Sequence, residues 1–200
     1  MESVETSDET LMMACVQGDE AALAVLVRRY ANRLLGYLVR LVATREQAED
    51  LFQETFLRVH RKAASFKSGR RFKPWLFAIA TNLAIDTIRG RGRAPATVSL
   101  DASADDPRPV AQLMDPSPDP AATAMRHEQR AIVRQALDTL PPGQRAALVL
   151  AYFEGLTYSE TASSLGCSLG TVKKQISRAL RTLAQILPDA PPRNVPGGAA

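Results

Sequence analysis

Residues 156–180 read LTYSETASSLGCSLGTVKKQISRAL, and the spacing within this stretch decides the fold class. Its apolar and small residues recur at three and four rather than at two, which is the period of a helix and not of a strand. Thr157 with Glu160 makes a capping box that opens a short helix. That helix stops at Leu165-Gly166, where the turn needs a left-handed residue. Ser168 is placed to cap a long final helix through Leu187. Ala162 is small where the two helices cross, and Val172 and Ile176 turn the second helix inward. Lys173, Lys174, Gln175, Ser177, Arg178 and Arg181 then give that helix a polar, cationic outer face. Short helix, glycine turn and second helix together have the grammar of a helix-turn-helix. Lysine and arginine can bind phosphates or guanine edges, and glutamine can read adenine. An amphipathic hairpin with a solvated basic face is the plainer reading, and the motif alone fits many regulators.

Working outward, a helix from about Met125 to Thr139 precedes a break at Pro141-Pro142, and a further helix runs to about Glu154. Residues 94–125 contain six prolines, five aspartates and no aromatic residue, too little apolar surface to offset the entropy of ordering. They read as a flexible acidic linker, and residues 188–200, PDAPPRNVPGGAA, as a disordered tail. Upstream, Leu23, Leu26, Val27, Tyr30, Leu34, Leu38 and Leu41 form one stripe behind an Asp19 cap, in a helix ending near Ala43. Thr44 with Gln47 opens the next helix, whose buried side holds Ala48, Leu51, Phe52, Thr55 and Val59. After the loop SFKSGRRFK, Pro74 suits the first turn of a third helix with Leu76, Ile79 and Leu83 inside, ending at Gly90. No stretch alternates as a strand. The expectation is an all-α chain of two small helical domains, residues 10–93 and 126–187.

Charge is stepped along the 200 residues. Residues 1–57 are net −5, residues 58–93 net +9, residues 94–125 net −4 and residues 126–200 net +4. Two basic blocks flanking an acidic one suit a polyanionic partner through phosphate contacts and counterion release, although a solvated surface would look the same. The two cysteines, Cys15 and Cys167, lack metal-site spacing, which predicts no zinc site and a reduced, cytoplasmic setting. The first ten residues lack the pattern of a signal peptide, and no apolar run reaches membrane length. His60 and His127, the only histidines, belong to no catalytic or metal motif, and no glycine-rich phosphate loop is present. Neither catalysis nor a cofactor is expected.

Residues 48–93, AEDLFQETFLRVHRKAASFKSGRRFKPWLFAIATNLAIDTIRGRGR, set an acidic helix beside an aromatic, basic loop and then a second helix. This stretch resembles conserved region 2 of bacterial sigma factors. LPPGQRAALVLAYFEGLTYSETASSLGCSLGTVKKQISRAL resembles their region 4, and the two matches cover most of residues 10–187. With only a linker between the regions, the layout is that of the extracytoplasmic-function (ECF) group of the sigma-70 family.

The resemblance implies promoter recognition on behalf of RNA polymerase. Asp50, Leu51, Gln53 and Glu54 correspond to the helix that docks on the beta-prime subunit. An exposed carboxylate pair there can give steering and register. The loop from Ser65 to Trp75 corresponds to the segment that captures a flipped base of the −10 element. Phe66, Phe72 and Trp75 offer stacking surfaces and Lys67, Arg70, Arg71 and Lys73 phosphate contacts, though Phe72 and Trp75 fit a core equally well. Asn82, Asp86 and Arg89 lie along the helix that reads −10. Asn82 could bond a base edge, with Asp86 orienting its neighbours. Thr171, Lys173, Lys174, Gln175, Ser177, Arg178 and Arg181 correspond to the −35 reading helix. The implied partners are core RNA polymerase, through its beta-prime and beta subunits, promoter DNA and an anti-sigma factor. Thr161, where a branched apolar residue is usual, Ser168-Leu169 in place of Pro-Val, a very cationic loop and a long linker depart from the family pattern.

Overall fold

A computed structural model describes residues 6–91 and 131–187. The expected linker 94–125, the expected tail 188–200 and the start of the helix expected from Met125 lie outside these residues. Eight helical segments and one short 3-10 turn are present among the described residues, with no strand.

The first unit contains α1 (Asp8–Val16), α2 (Glu20–Leu41), α3 (Arg45–Arg61) and α4 (Phe72–Arg91). Three side chains satisfy the orphan amide donors at its helix starts. Asp19 accepts from Ala22 N at 3.1 Å, Thr44 from Gln47 N at 3.4 Å and Ser7 from Thr10 N at 3.1 Å. The first two caps fall where the sequence puts them. Helix α1, however, has no counterpart in the periodicity. Its apolar residues are contiguous, LMMACV, and only Met12 is fully buried. What holds it is a polar clasp, in which the Asp8 carboxylate accepts from the Tyr30 hydroxyl and the Arg29 guanidinium on α2. Helix α4 starts at Phe72, two residues before Pro74. Pro74 stays inside the first turn, where its missing N–H costs nothing.

The second unit contains α5 (described over residues 131–138), α6 (Pro142–Tyr152), α7 (Tyr158–Leu165) and α8 (Leu169–Ile186). Thr157 and Glu160 form the reciprocal capping box, with Thr157 N to Glu160 Oε2 at 2.9 Å and Glu160 N to Thr157 Oγ1 at 3.2 Å. Gly166 closes α7 at φ 61°, the left-handed region where an L side chain is strained. Ser168 caps α8, accepting from Thr171 N at 3.1 Å. Val172, Ile176 and Ala179 are buried one turn apart, which seats α8 on α6 and α7.

The buried residues of the two units join in one hydrophobic cluster. Tyr37 and Phe77 meet edge to face at 5.0 Å in the first, both fully buried. Leu148, Val149 and Leu150 on α6 are buried in the second. The two units also touch, with α7 against α4 and α6 against α2 and α4.

Candidate nucleic-acid interface

On α8, Lys173, Lys174, Ser177, Arg178 and Arg181 are exposed while Val172, Ile176 and Ala179 face the core. At 3.6 residues per turn positions 172, 176 and 179 share one face and the cations fall on the other, so the split between faces follows from the spacing. The result is one solvated cationic face on a helix, an element that a major groove admits. Two expected members of that face are engaged elsewhere. Thr171 is half-buried, and its hydroxyl lies 2.9 Å from Ser168 Oγ, within the helix cap. Gln175 is turned toward α6. A Cβ placed at Gly143 would lie 3.3 Å from its Nε2, so the missing side chain there makes the room it occupies. The Gln175 Oε1 is buried without a hydrogen-bond partner.

In the first unit, Lys67, Arg70 and Arg71 are exposed in the loop and Lys73 is half-buried. The three aromatic residues that flank them are not at the surface. Phe66, Phe72 and Trp75 are 4%, 0% and 5% exposed, with ring centroids 5.1 Å apart for Phe66 and Trp75 and 6.1 Å for Phe72 and Trp75. Tyr30 closes the cluster edge-on at 5.4 Å from Phe72. Rings packed this way anchor the loop to the bundle. The expectation of three open stacking surfaces therefore gives way to core positions, the alternative the sequence left open for Phe72 and Trp75. Large aromatic rings gain more from the interior than from water.

Helix α4 presents Asn82, Asp86 and Arg89 as exposed residues at helical spacing. On α3, Asp50 and Gln53 are exposed, but Leu51 is a core residue at 7%. Glu54 is half-buried and already accepts from Arg58 Nε at 2.8 Å. Sequence reasoning passed over Leu57, which is 50% exposed on the same α3 line as Asp50 and Gln53. Its signal is an apolar residue lying outside the buried stripe of Leu51, Thr55 and Val59.

The loop between α6 and α7 meets the first unit's cations. Glu154 is 5% exposed, and its Oε2 lies 3.5 Å from Arg33 Nε, an ion-pair distance without a hydrogen bond. Burial pushes its carboxyl up, and the nearby Arg33, Lys73 and Arg40 only partly oppose this. The Lys73 amine donates to Glu154 O and is pushed down by burial and by Arg33. Arg40 stacks over the Phe153 ring at 4.7 Å. Arg71 Nη1 lies 3.1 Å from Glu160 Oε1. Partial burial raises the Glu160 carboxyl, but hydrogen bonds from Thr157 and the Arg71 charge outweigh it and leave the group below its usual range.

Among the described residues no group of histidine, cysteine or acidic side chains could hold a metal ion, and no helix is long and apolar enough to cross a membrane.

Residues 26–94 match the model of sigma-70 region 2 and residues 130–183 that of sigma-70 region 4. The chain is 40% identical over 191 residues to the ECF RNA polymerase sigma factor SigE of Mycolicibacterium smegmatis, covering 92% of this chain and 70% of that one. It is 32% identical over 183 residues to the RNA polymerase sigma-H factor of Pseudomonas aeruginosa, covering 92% and 95%. Among solved structures it is similar to CnrH in complex with the cytosolic domain of CnrY, with TM-score 0.67, 25% identity and coverage of 92% and 99%. It is also similar to the sigma factor RpoE in complex with the anti-sigma factor NepR from Bartonella quintana, with TM-score 0.65, 27% identity and coverage of 84% and 98%.

Proposed function

Because this chain belongs to the ECF group of sigma-70 family sigma factors, we propose a division of its surface into three working faces. As a member of that family it directs promoter-specific transcription initiation by RNA polymerase. The family is one of initiation factors, and the chemistry of RNA synthesis stays with the polymerase while this chain supplies recognition in the cytoplasm.

The first face is on α3, where Asp50, Gln53 and Leu57 are exposed on one line and meet the beta-prime subunit. Leu51 supports that face from beneath, and Glu54 orients Arg58. An apolar residue beside exposed polar ones is the composition of a docking patch, with the carboxylate giving register and the leucine the buried area. The second face is the −10 reading surface, with Lys67, Arg70, Arg71 and Lys73 contacting the backbone of the melted strand and Asn82 and Arg89 reaching bases. Phe66, Phe72 and Trp75 hold this loop in shape. The third face is α8, whose Lys173, Lys174, Ser177, Arg178 and Arg181 approach the −35 duplex. Thr171 and Gln175 set the pose of that helix. An anti-sigma factor is the expected regulator, since the similar sigma factor RpoE is solved in complex with the anti-sigma factor NepR.

The observation that carries this division is the exposed cationic face of α8 in the same chain as an exposed polar and apolar line on α3. Its test is in vitro transcription from fragmented genomic DNA of the source organism, with sigma-free core polymerase and the purified chain, sequencing the 5′ ends. Defined starts sharing two upstream elements are expected, and Asp50→Arg with Leu57→Ala should abolish them while leaving the fold intact. Starts unchanged in that double variant would remove the α3 assignment.

A further inference from the structure

We propose that a groove between the starts of α7 and α8 receives the C5-methyl group of a thymine in the −35 element, and that Leu169 is the side chain that reads it. The proposal rests on the assignment of α8 to the −35 duplex given above. The groove holds about 520 Å³, and its lining is mostly apolar. Ala151 and Leu156 contribute buried side chains to it. Leu169, the first residue of α8, adds an apolar side chain that is 44% exposed.

Three features fit this groove to the edge of a duplex. Lys173 also lines it, one turn on from Leu169, and belongs to the exposed cationic face of α8, so the groove and that face are continuous. The N-terminal ends of two helices meet here, with Thr157 and Tyr158 at the start of α7 and Leu169 at the start of α8. The positive ends of two helix dipoles therefore border an apolar surface. Gly170 is exposed beside Leu169, and a Cβ there would meet nothing nearer than Ser168 Oγ at 3.8 Å. Nothing within the chain requires a glycine at that place, and its bare backbone leaves room for a partner to come close. A free phosphate would use the helix ends and Lys173 but leave the apolar lining idle. A purely apolar segment would do the reverse. A thymine uses both, because its methyl group stands in the major groove between phosphate backbones.

Exchanging thymine for uracil removes the methyl and leaves base pairing as it was. Promoters found by the transcription experiment above are made with deoxyuridine in place of thymidine, one −35 position at a time on either strand. Initiation by core polymerase with the full chain is then measured below saturation. At one position uracil should lower initiation about fourfold, the worth of one buried methyl. Leu169→Ala should lower initiation on the thymine template by a similar factor and make the chain indifferent to uracil there. Leu169→Met keeps an apolar contact and should restore the sensitivity. Because Leu169 is half outside the packed interior, neither variant should move the urea midpoint.

Initiation from defined starts with no uracil-sensitive −35 position overturns the methyl site. Equal uracil sensitivity in Leu169→Ala and the unaltered chain overturns Leu169 as its reader. Weaker binding of Leu169→Ala to core polymerase, with uracil sensitivity retained, gives the groove to the polymerase and overturns the proposal. Absence of initiation by every form of the chain on every template would instead sink the sigma reading beneath it.

Discussion

The two units carry basic surfaces of similar composition and use them in opposite ways. In the second, the cations sit on one face of α8, held outward by Val172, Ile176 and Ala179 on the other. In the first, Lys67, Arg70 and Arg71 sit in the loop before α4 and Lys73 in its first turn, the rings that flank them are buried, and Arg71 and Lys73 are engaged by the other unit. A regular helix separates buried from exposed by periodicity alone. A loop and a helix's first turn have too few residues to set a period, so burial there is decided by whichever neighbours arrive.

The sharpest way to break this comparison is Phe72→Ala. If the loop aromatics anchor the bundle, this change should cost about 3–5 kcal/mol of stability by cavity formation, read as a lower urea midpoint. Unchanged stability with impaired promoter melting would return Phe72 to the DNA-facing surface.

A second test lies in the second unit. Thr161 is fully buried and its Oγ1 has no hydrogen-bond partner, at the position where the sequence departs from a branched apolar pattern. Thr161→Val keeps the shape and removes the unsatisfied hydroxyl, so it should stabilise the second unit by about 1 kcal/mol in the same unfolding assay. A loss of stability would mean that a water or a neighbour satisfies that oxygen.

The open face of α8 can be sharpened by salt. Lys174→Ala should weaken promoter binding by the holoenzyme similarly on all sequences and reduce the slope of log affinity against log salt by about 1, without altering the urea midpoint. A change confined to one promoter position would make Lys174 a base reader.

The smallest effect expected is on pH. The Glu154 carboxyl is raised in the folded chain, so its contribution to stability is fully present below the unfolded carboxylate range and is lost as pH rises through the raised value. Glu160 is lowered, so its contribution holds above the unfolded range and is lost only as pH falls through the lowered value. Between neutral pH and the upper carboxylate range, acidification should therefore raise the urea midpoint of the unaltered chain relative to Glu154→Gln. A midpoint difference that is flat in that window would show that Glu154 is not buried by docking.

Helix starts were legible in the sequence because capping is local. Asp19, Thr44, Thr157 and Ser168 each bond an amide three residues on, and so did the glycine turn at Gly166 and the outer face of α8 follow from residues within one or two turns. Helix α1 was not legible, because its hold on the molecule runs from Asp8 to Arg29 and Tyr30 rather than along its own apolar face. The interior position of Phe66 and the inward turn of Gln175 toward Gly143 depended on which helices came together. The same holds for the seam between the units, where Arg33, Lys73 and Glu154 lie far apart in the chain. Local rules set what each helix is and which face it offers. Only the packed chain decides which of those faces are left for a partner, because burial and charge pairing depend on contacts that sequence separation does not encode.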